Sequence, residues 1–191
     1  MNVVVKSLIG IFTIVDGKIN LLMNGNDLFT IVCNDNVELE NQYYIDNNLN
    51  IDNLDLKQCY TFSEKENDNL IISILYIDIV NYNDIKSNNF ILIPIENVNK
   101  DIYINKLIEC LKKDLVLNST IRKIYPNEFV LPEIQKIYED LLDTKYDRRN
   151  FRKRLIKLDV IEDLNKMSTN KKGRPAKLYK FKDITEDKIL F

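Results

Sequence analysis

The chain has 191 residues, 45% of them hydrophobic, which is enough for one or two domains with real cores. Its net charge of −2 hides an imbalance: residues 1–100 carry 6 Lys+Arg against 14 Asp+Glu, residues 101–191 carry 21 against 15, and Lys145–Lys182 alone carries 14 against 4. There is no histidine, and Cys33, Cys59 and Cys110 are odd in number with no CxxC pair, which argues against histidine-based catalysis, a zinc site and a structural disulfide.

The N-terminal stretch NVVVKSLIGIFTIV is rich in β-branched and aromatic residues and predicts a strand. Asp16-Gly17 is a two-residue hairpin signal, and KINLLM returns as a second strand. Asn24-Gly25-Asn26 marks another turn, followed by a strand at Leu28–Cys33. Asn34–Asp55 is crowded with Asn and Asp, and its spacing predicts a loop with at most one poor helical turn. Leu56–Phe62, Leu70–Val80 and Phe90–Ile95 predict further strands, with Ser63–Asn69 as a charged loop. Pro94 places the last strand at an edge or a sheet terminus. The first hundred residues thus predict a mainly β domain with little helix.

Asn99 or Asp101 opens a helical pattern in which Ile104, Leu107, Ile108, Leu111 and Leu115 recur at spacings of 3 and 4, continuing or restarting through Ile121 and Ile124. FVLPEIQKIYEDLL predicts the next helix, with Pro132 in its first turn and Ile134, Ile137, Tyr138, Leu141 and Leu142 toward a core. After a turn at Asp143–Tyr146 comes DRRNFRKRLIKL, with Asp147 as its cap. Phe151, Leu155 and Leu158 form an apolar back; Arg149, Asn150, Lys153 and Lys157 form a cationic front, with Arg148, Arg152 and Arg154 on its flanks. Asp147 is the only acid in the twelve residues Asp147–Leu158. Guanidinium forks suit guanine edges and phosphate oxygens. Helix, short turn and basic helix make a helix-turn-helix. Val160-Ile161 and Lys177–Phe181 can pair as a hairpin, making the polar loop Glu162–Arg174 a wing. No apolar run approaches the roughly 18 residues of a membrane span, and no signal peptide is read, so a cytoplasmic protein with no membrane partner is expected.

NEFVLPEIQKIYEDLL, DRRNFRKRLIKLDVIED and GRPAKLYKF together closely resemble the C-terminal winged-helix domain of the Nudix-related, NrtR-like transcriptional regulators of NAD metabolism. Upstream, YTFSEKENDNLIISILYIDIV and FILIPIEN look like later strands of a Nudix domain. The resemblance implies an α+β chain: a degenerate Nudix-like domain over 1–98, a linker helix and winged-helix domain over 99–182, and a tail over 183–191. It implies a homodimeric repressor on a palindromic operator, with ADP-ribose on the Nudix domain as the usual effector.

The chain departs from that family in one respect. Hydrolysis needs the box Gly-x5-Glu-x7-Arg-Glu-x2-Glu-Glu-x-Gly, whose glutamates hold divalent metal. Between Thr30 and Gln58 there is neither glycine nor arginine, and Glu38 and Glu40 are the only glutamates. At that spacing they suit one face of a strand and read as surface residues. No catalytic residue, metal or cofactor is therefore expected, and an ADP-ribose-type, nucleotide-like effector is left open.

In a winged helix the recognition helix presents its solvent face to base edges and its flanks to phosphate. Arg149, Asn150, Lys153 and Lys157 are assigned to double-stranded DNA bases, Arg149 to guanine. Arg148, Arg152 and Arg154 are assigned to phosphates. The wing Asn170-Lys171-Lys172-Gly173-Arg174-Pro175 resembles the Gly-Arg-Pro core of AT-hook segments, so Arg174 is expected at the minor groove, with Lys171 and Lys172 also binding DNA. Two other classes stay open: a divergent Nudix-type pyrophosphatase with a DNA-binding tail, and an RNA-binding or interaction module.

Overall fold

The computed structural model of the chain describes residues 2–117, 120–125, 127–169 and 175–182. The chain divides into two compact units, one reaching Leu111 and the other starting at Lys112 apart from the short turn Asp16–Lys18.

The first unit is built on one long strand, β1 (Asn2–Val15). The turn Asp16-Gly17 has positive φ at both positions, as a tight hairpin requires, and β2 (Lys18–Met23) follows. β3 (Phe29–Cys33) pairs antiparallel with residues 5–9 of β1. On its other side β1 runs parallel to β5 (Asn69–Val80), from Asn2 opposite Asn69 to Thr13 opposite Val80. β4 (Lys57–Glu66) closes that edge, and β6 (Ile91–Pro94) closes the far edge against β2. Pro94 sits on an edge strand, where a missing N–H costs no ladder bond.

A parallel partner requires a long crossover, and covered sheet faces give near-continuous apolar runs. LIISILYIDIV is such a run. Ile9 and Ile11 join Leu22, Phe29 and Val80 in a buried cluster on one face. Alternation turns Gly10 to the other face, where a β-carbon would lie 2.8 Å from Leu107 of α2 (Ile102–Leu117). A glycine there allows the helix to approach. Asp101 caps α2 by accepting a 2.7 Å bond from the N–H of Ile104.

Two expectations in this unit are corrected. Asn34–Asp55 is largely helical: α1 (Val37–Tyr44) continues into a π-helical turn, Ile45–Leu49. The Asn36 side chain accepts from the N–H of Leu39, and Glu40 Oε1 reaches back to the N–H groups of Asn34 and Asp35, each at 2.9 Å. Those bonds satisfy donors that a helix start leaves open. Ile45, Leu49 and Ile51 then enter the cluster with Ile9 and Ile11. Glu38 and Glu40 thus lie on a helix, not on a strand. The second correction concerns Ser63–Asn69: β4 runs on to Glu66 and turns tightly at Asn67, whose φ is 54°.

The second unit contains α3 (Ile121–Ile124), β7 (Phe129–Val130), α4 (Leu131–Leu142), α5 (Arg148–Lys157), β8 (Ile161–Met167) and β9 (Lys177–Phe181). Its sheet order is β7-β9-β8. Phe129 and Val130, expected as the start of a helix, pair instead with Tyr179 and Leu178 of β9. β8 also extends six residues past Ile161, into the segment expected as loop. Ile134, Ile137, Tyr138 and Leu141 of α4 are buried, and the Tyr138 hydroxyl donates to the carbonyl of Leu115 at 3.0 Å. The tail expected at 183–191 lies outside the described residues. Among the described residues no helix is long and apolar enough to cross a membrane, which says nothing of strands.

Candidate nucleic-acid interface

α4 ends where Asp143 takes a left-handed conformation, φ 49°. Glu139, one turn earlier, holds the link to α5. Its Oε1 accepts from the backbone N–H of Tyr146 at 2.9 Å and from Gln135 Nε2 at 2.7 Å, while Lys145 lies 3.4 Å from Oε2. The Gln135 and Tyr146 donors, then Lys145, hold this carboxyl below its ordinary range. The angle at which α5 leaves α4 is therefore fixed by side-chain bonds as well as by packing.

α5 starts at its cap: Asp147 Oδ1 accepts from the N–H of Asn150 at 2.9 Å, as its position before the basic run predicts. Phe151 and Leu155 are buried, 2% and 0% exposed, and the Phe151 ring lies 6.3 Å from Tyr138 and 5.7 Å from Tyr146. Leu158 is half-buried. With that face fixed, Arg148, Arg149, Asn150, Arg152, Lys153, Arg154 and Lys157 are all exposed.

Helical geometry brings Arg149, Asn150, Lys153 and Lys157 to one side. Ile156 falls on the same side and is 48% exposed. Its spacing of seven from Arg149 and three from Lys153 is the signal in the sequence that puts it there, beside the polar residues expected on this side. Arg148 and Arg149 occupy the first turn, the positive end of the helix dipole. Cations there cost about 0.3–1 kcal/mol each in the absence of a counter-anion. Their placement makes sense if an anion approaches.

Arg152 turns toward the hairpin. Its guanidinium is 3.9 Å from Asp163 of β8 and 6.0 Å from the ring centre of Tyr179 on β9. Lys177 donates to the same Asp163 carboxylate at 2.8 Å, and with the N–H of Asn165 it holds that group below its ordinary range. Arg152 thus ties the helix to the sheet while remaining half-exposed. Beyond Met167 the hairpin is closed by Ser168, whose N–H donates to the carbonyl of Ala176 at 2.7 Å. Ser168 Oγ accepts from the N–H of Ala176 at 3.1 Å. Lys171, Lys172 and Arg174, expected to bind DNA from the wing, lie outside the described residues.

Two helices joined by a short turn and backed by a three-stranded sheet with a projecting hairpin define a winged helix-turn-helix domain. Residues 122–181 match the family model described as the NrtR DNA-binding winged helix domain. The whole chain is similar to the crystal structure of Shewanella oneidensis NrtR, at 18% identity and a TM-score of 0.70, covering 93% of this chain and 94% of that one. The same protein complexed with a 27mer DNA matches at 17% identity and a TM-score of 0.70, covering 93% of both chains. A MutT/nudix family protein from Enterococcus faecalis matches at 13% identity and a TM-score of 0.65, covering 95% of this chain and 87% of that one. The chain matches no curated protein. A sheet unit with the fold of these solved structures thus precedes a winged helix that matches the NrtR DNA-binding model.

Proposed function

We propose that the protein is a sequence-specific DNA-binding transcription regulator, acting as a cytoplasmic repressor. The observation that carries this reading is α5, with a buried apolar back and an exposed front holding Arg149, Asn150, Lys153, Ile156 and Lys157. Such a face fits the major groove: arginine forks pair with guanine, an asparagine amide pairs with adenine, and an apolar side chain contacts the thymine methyl. Arg148, Arg152 and Arg154 flank this face on the helix, and the reading assigns them to phosphates. The similarity to Shewanella oneidensis NrtR complexed with a 27mer DNA supports DNA as the partner.

One recognition helix covers only a few base pairs, so the reading includes a homodimer on an inverted repeat with half-sites about one helical turn, or a multiple, apart. It assigns the first unit a sensing or pairing role and not hydrolysis. In no register does α1, Val37-Glu38-Leu39-Glu40-Asn41-Gln42-Tyr43-Tyr44, offer the adjacent pair of glutamates with which the Nudix box holds a hard divalent cation.

Selection of bound duplexes from a random pool, followed by binding to duplex DNA and RNA hairpins at matched salt, tests the proposal. A recovered palindrome that binds a dimer supports it. Equal binding to RNA hairpins would refute it, because deep A-form grooves exclude a recognition helix. Metal-dependent release of AMP from ADP-ribose, above a no-protein control, would overturn the non-hydrolytic role.

A further inference from the structure

β4 and β5 pair in step except at one place. Gln58 stands opposite Tyr76 and Tyr60 opposite Leu75, so Cys59 has no partner of its own on β5. It is the extra residue of a β-bulge, a device that re-aims a side chain and recurs beside functional sites. The strand face concerned is the one against α2: the Phe62 ring lies 5.2 Å from that of Tyr103, and the Lys106 ammonium lies 4.5 Å from the centre of the Tyr60 ring. There Cys110 of α2 donates its thiol to the carbonyl of Cys59 at 3.8 Å, across 51 positions of sequence. The two thiols lie within hydrogen-bonding reach of each other, and both belong to the first unit.

Cys33 is the contrast. It is 8% exposed, and its sulfur meets Ser7 Oγ at 3.6 Å and the Ile31 carbonyl at 3.8 Å. Cys59 and Cys110 are each half-buried, and Lys106, one turn before Cys110, brings a positive charge to both. A partly exposed thiol in a cationic setting, with a second thiol beside it, is where reversible oxidation concentrates. Burial, then Cys110, push the Cys59 thiol up, which suits it to react second.

We propose that Cys59 and Cys110 are a site of oxidation by peroxides, closing reversibly to a disulfide that ties α2 to the edge strand β4. The Cys110 thiolate attacks one peroxide oxygen: an S–O bond forms, the O–O bond breaks, and the leaving hydroxide takes up the proton that Cys110 released. That leaves a sulfenic acid on Cys110 and one water. The Cys59 sulfur then attacks the sulfenic sulfur: an S–S bond forms, the S–O bond breaks, and the departing hydroxide takes the Cys59 proton as a second water. The thiol pair loses two electrons, and the peroxide gains them. Thiols already within hydrogen-bonding reach need only a short approach to the disulfide length of about 2.05 Å. This inference does not depend on the DNA-reading role of the second unit.

The test is mass mapping of the reduced full chain after brief exposure to hydrogen peroxide, with free thiols blocked before digestion. The Cys59–Cys110 link should form within single chains, exceed any link to Cys33 by about tenfold or more, and vanish on treatment with dithiothreitol. In denaturing urea that preference should be lost, because Cys33 and Cys59 are closer in sequence and close a smaller loop. Cys33→Ser should leave the link unchanged. Cys59→Ser should leave a Cys110 sulfenic acid that dimedone traps, severalfold more than Cys110→Ser leaves on Cys59. Equal trapping on the two variants would overturn the assignment of Cys59 as the second thiol. The proposal as a whole is overturned if the native chain forms no Cys59–Cys110 link, if the link joins only separate chains, or if it forms no more readily than links to Cys33.

Discussion

Replacing Phe151 by alanine separates the apolar back of α5 from its cationic front. The ring is 2% exposed, lies within 6.3 Å of Tyr138 and 5.7 Å of Tyr146, and so anchors α5 to both α4 and the turn before it. Truncating a buried phenylalanine costs about 3–5 kcal/mol, the aromatic contacts included. Against a domain stability of roughly 5–15 kcal/mol, that is enough to leave the second unit marginal. Lys153→Ala, at an exposed position on the same helix, should stay within about 0.5 kcal/mol. Two units need not unfold together, so the assay is urea unfolding by circular dichroism combined with hydrogen exchange of the α5 amides. Phe151→Ala should accelerate exchange throughout α5 and the hairpin and abolish DNA binding. Lys153→Ala should weaken DNA binding and leave exchange unchanged. A loss below about 1 kcal/mol for Phe151→Ala, with α5 exchange unaltered, would refute the assignment of that face as the helix's support.

Arg149→Ala should cost about 1–3 kcal/mol on the selected operator and blur one base per half-site, whereas Arg152→Ala should weaken operator and random DNA alike and reduce the salt slope by about one, read from titrations across a salt series. If Arg149→Ala lowered all affinities equally while Arg152→Ala changed base preference, α5 would sit rotated from this placement. Ile156→Ala should remove discrimination between thymine and uracil at one operator position, a difference of about 0.8 kcal/mol for one buried methyl in wild type, measured with uracil-substituted duplexes. Below about pH 4 the second unit should lose stability, because Glu139 and Asp163 have folded pKa values held below their ordinary ones: their contribution is present above the unfolded value and lost as pH falls through the folded one. Thermal melts from about pH 6 to about pH 3 should show this fall, and Glu139→Gln should flatten it.

The second unit was the more legible in sequence because its signals are local. Pro132 in the first turn of α4, Asp147 before a basic run and apolar spacing at Phe151 and Leu155 each specify structure within one or two turns. The hairpin Asp16-Gly17 was readable for the same reason. α1 was misread because its Asn and Asp residues were counted as loop formers, although Asn36 caps the helix and Glu40 ties down its entry. Asn47 and Asn48 within the π-helical turn donate to the carbonyls of Tyr43 and Tyr44, four residues back, so polar density there builds helix instead of breaking it. The cavity lined by Asn41, Gln42, Gln58 and Tyr76 was hidden for a different reason. Asn41 and Tyr76 stand 35 positions apart, and only the fold brings them together.

The same separation in sequence sets a timetable for synthesis. Val5 of β1 is paired with Ile72 of β5, so the central strand lacks its parallel neighbour until some 67 further residues have been made. At roughly 5–20 residues per second that is about 3–13 s during which NVVVKSLIGIFTIV is finished but uncovered on one side. The segment is β-branched, weakly charged and free of proline, the kind that pairs with copies of itself. Ribosome-bound chains that have exposed β1 but not yet β5 should therefore engage chaperones through Asn2–Val15 and release them only after Val80 has emerged. The winged helix must likewise wait for β9, because Phe129 pairs with Tyr179.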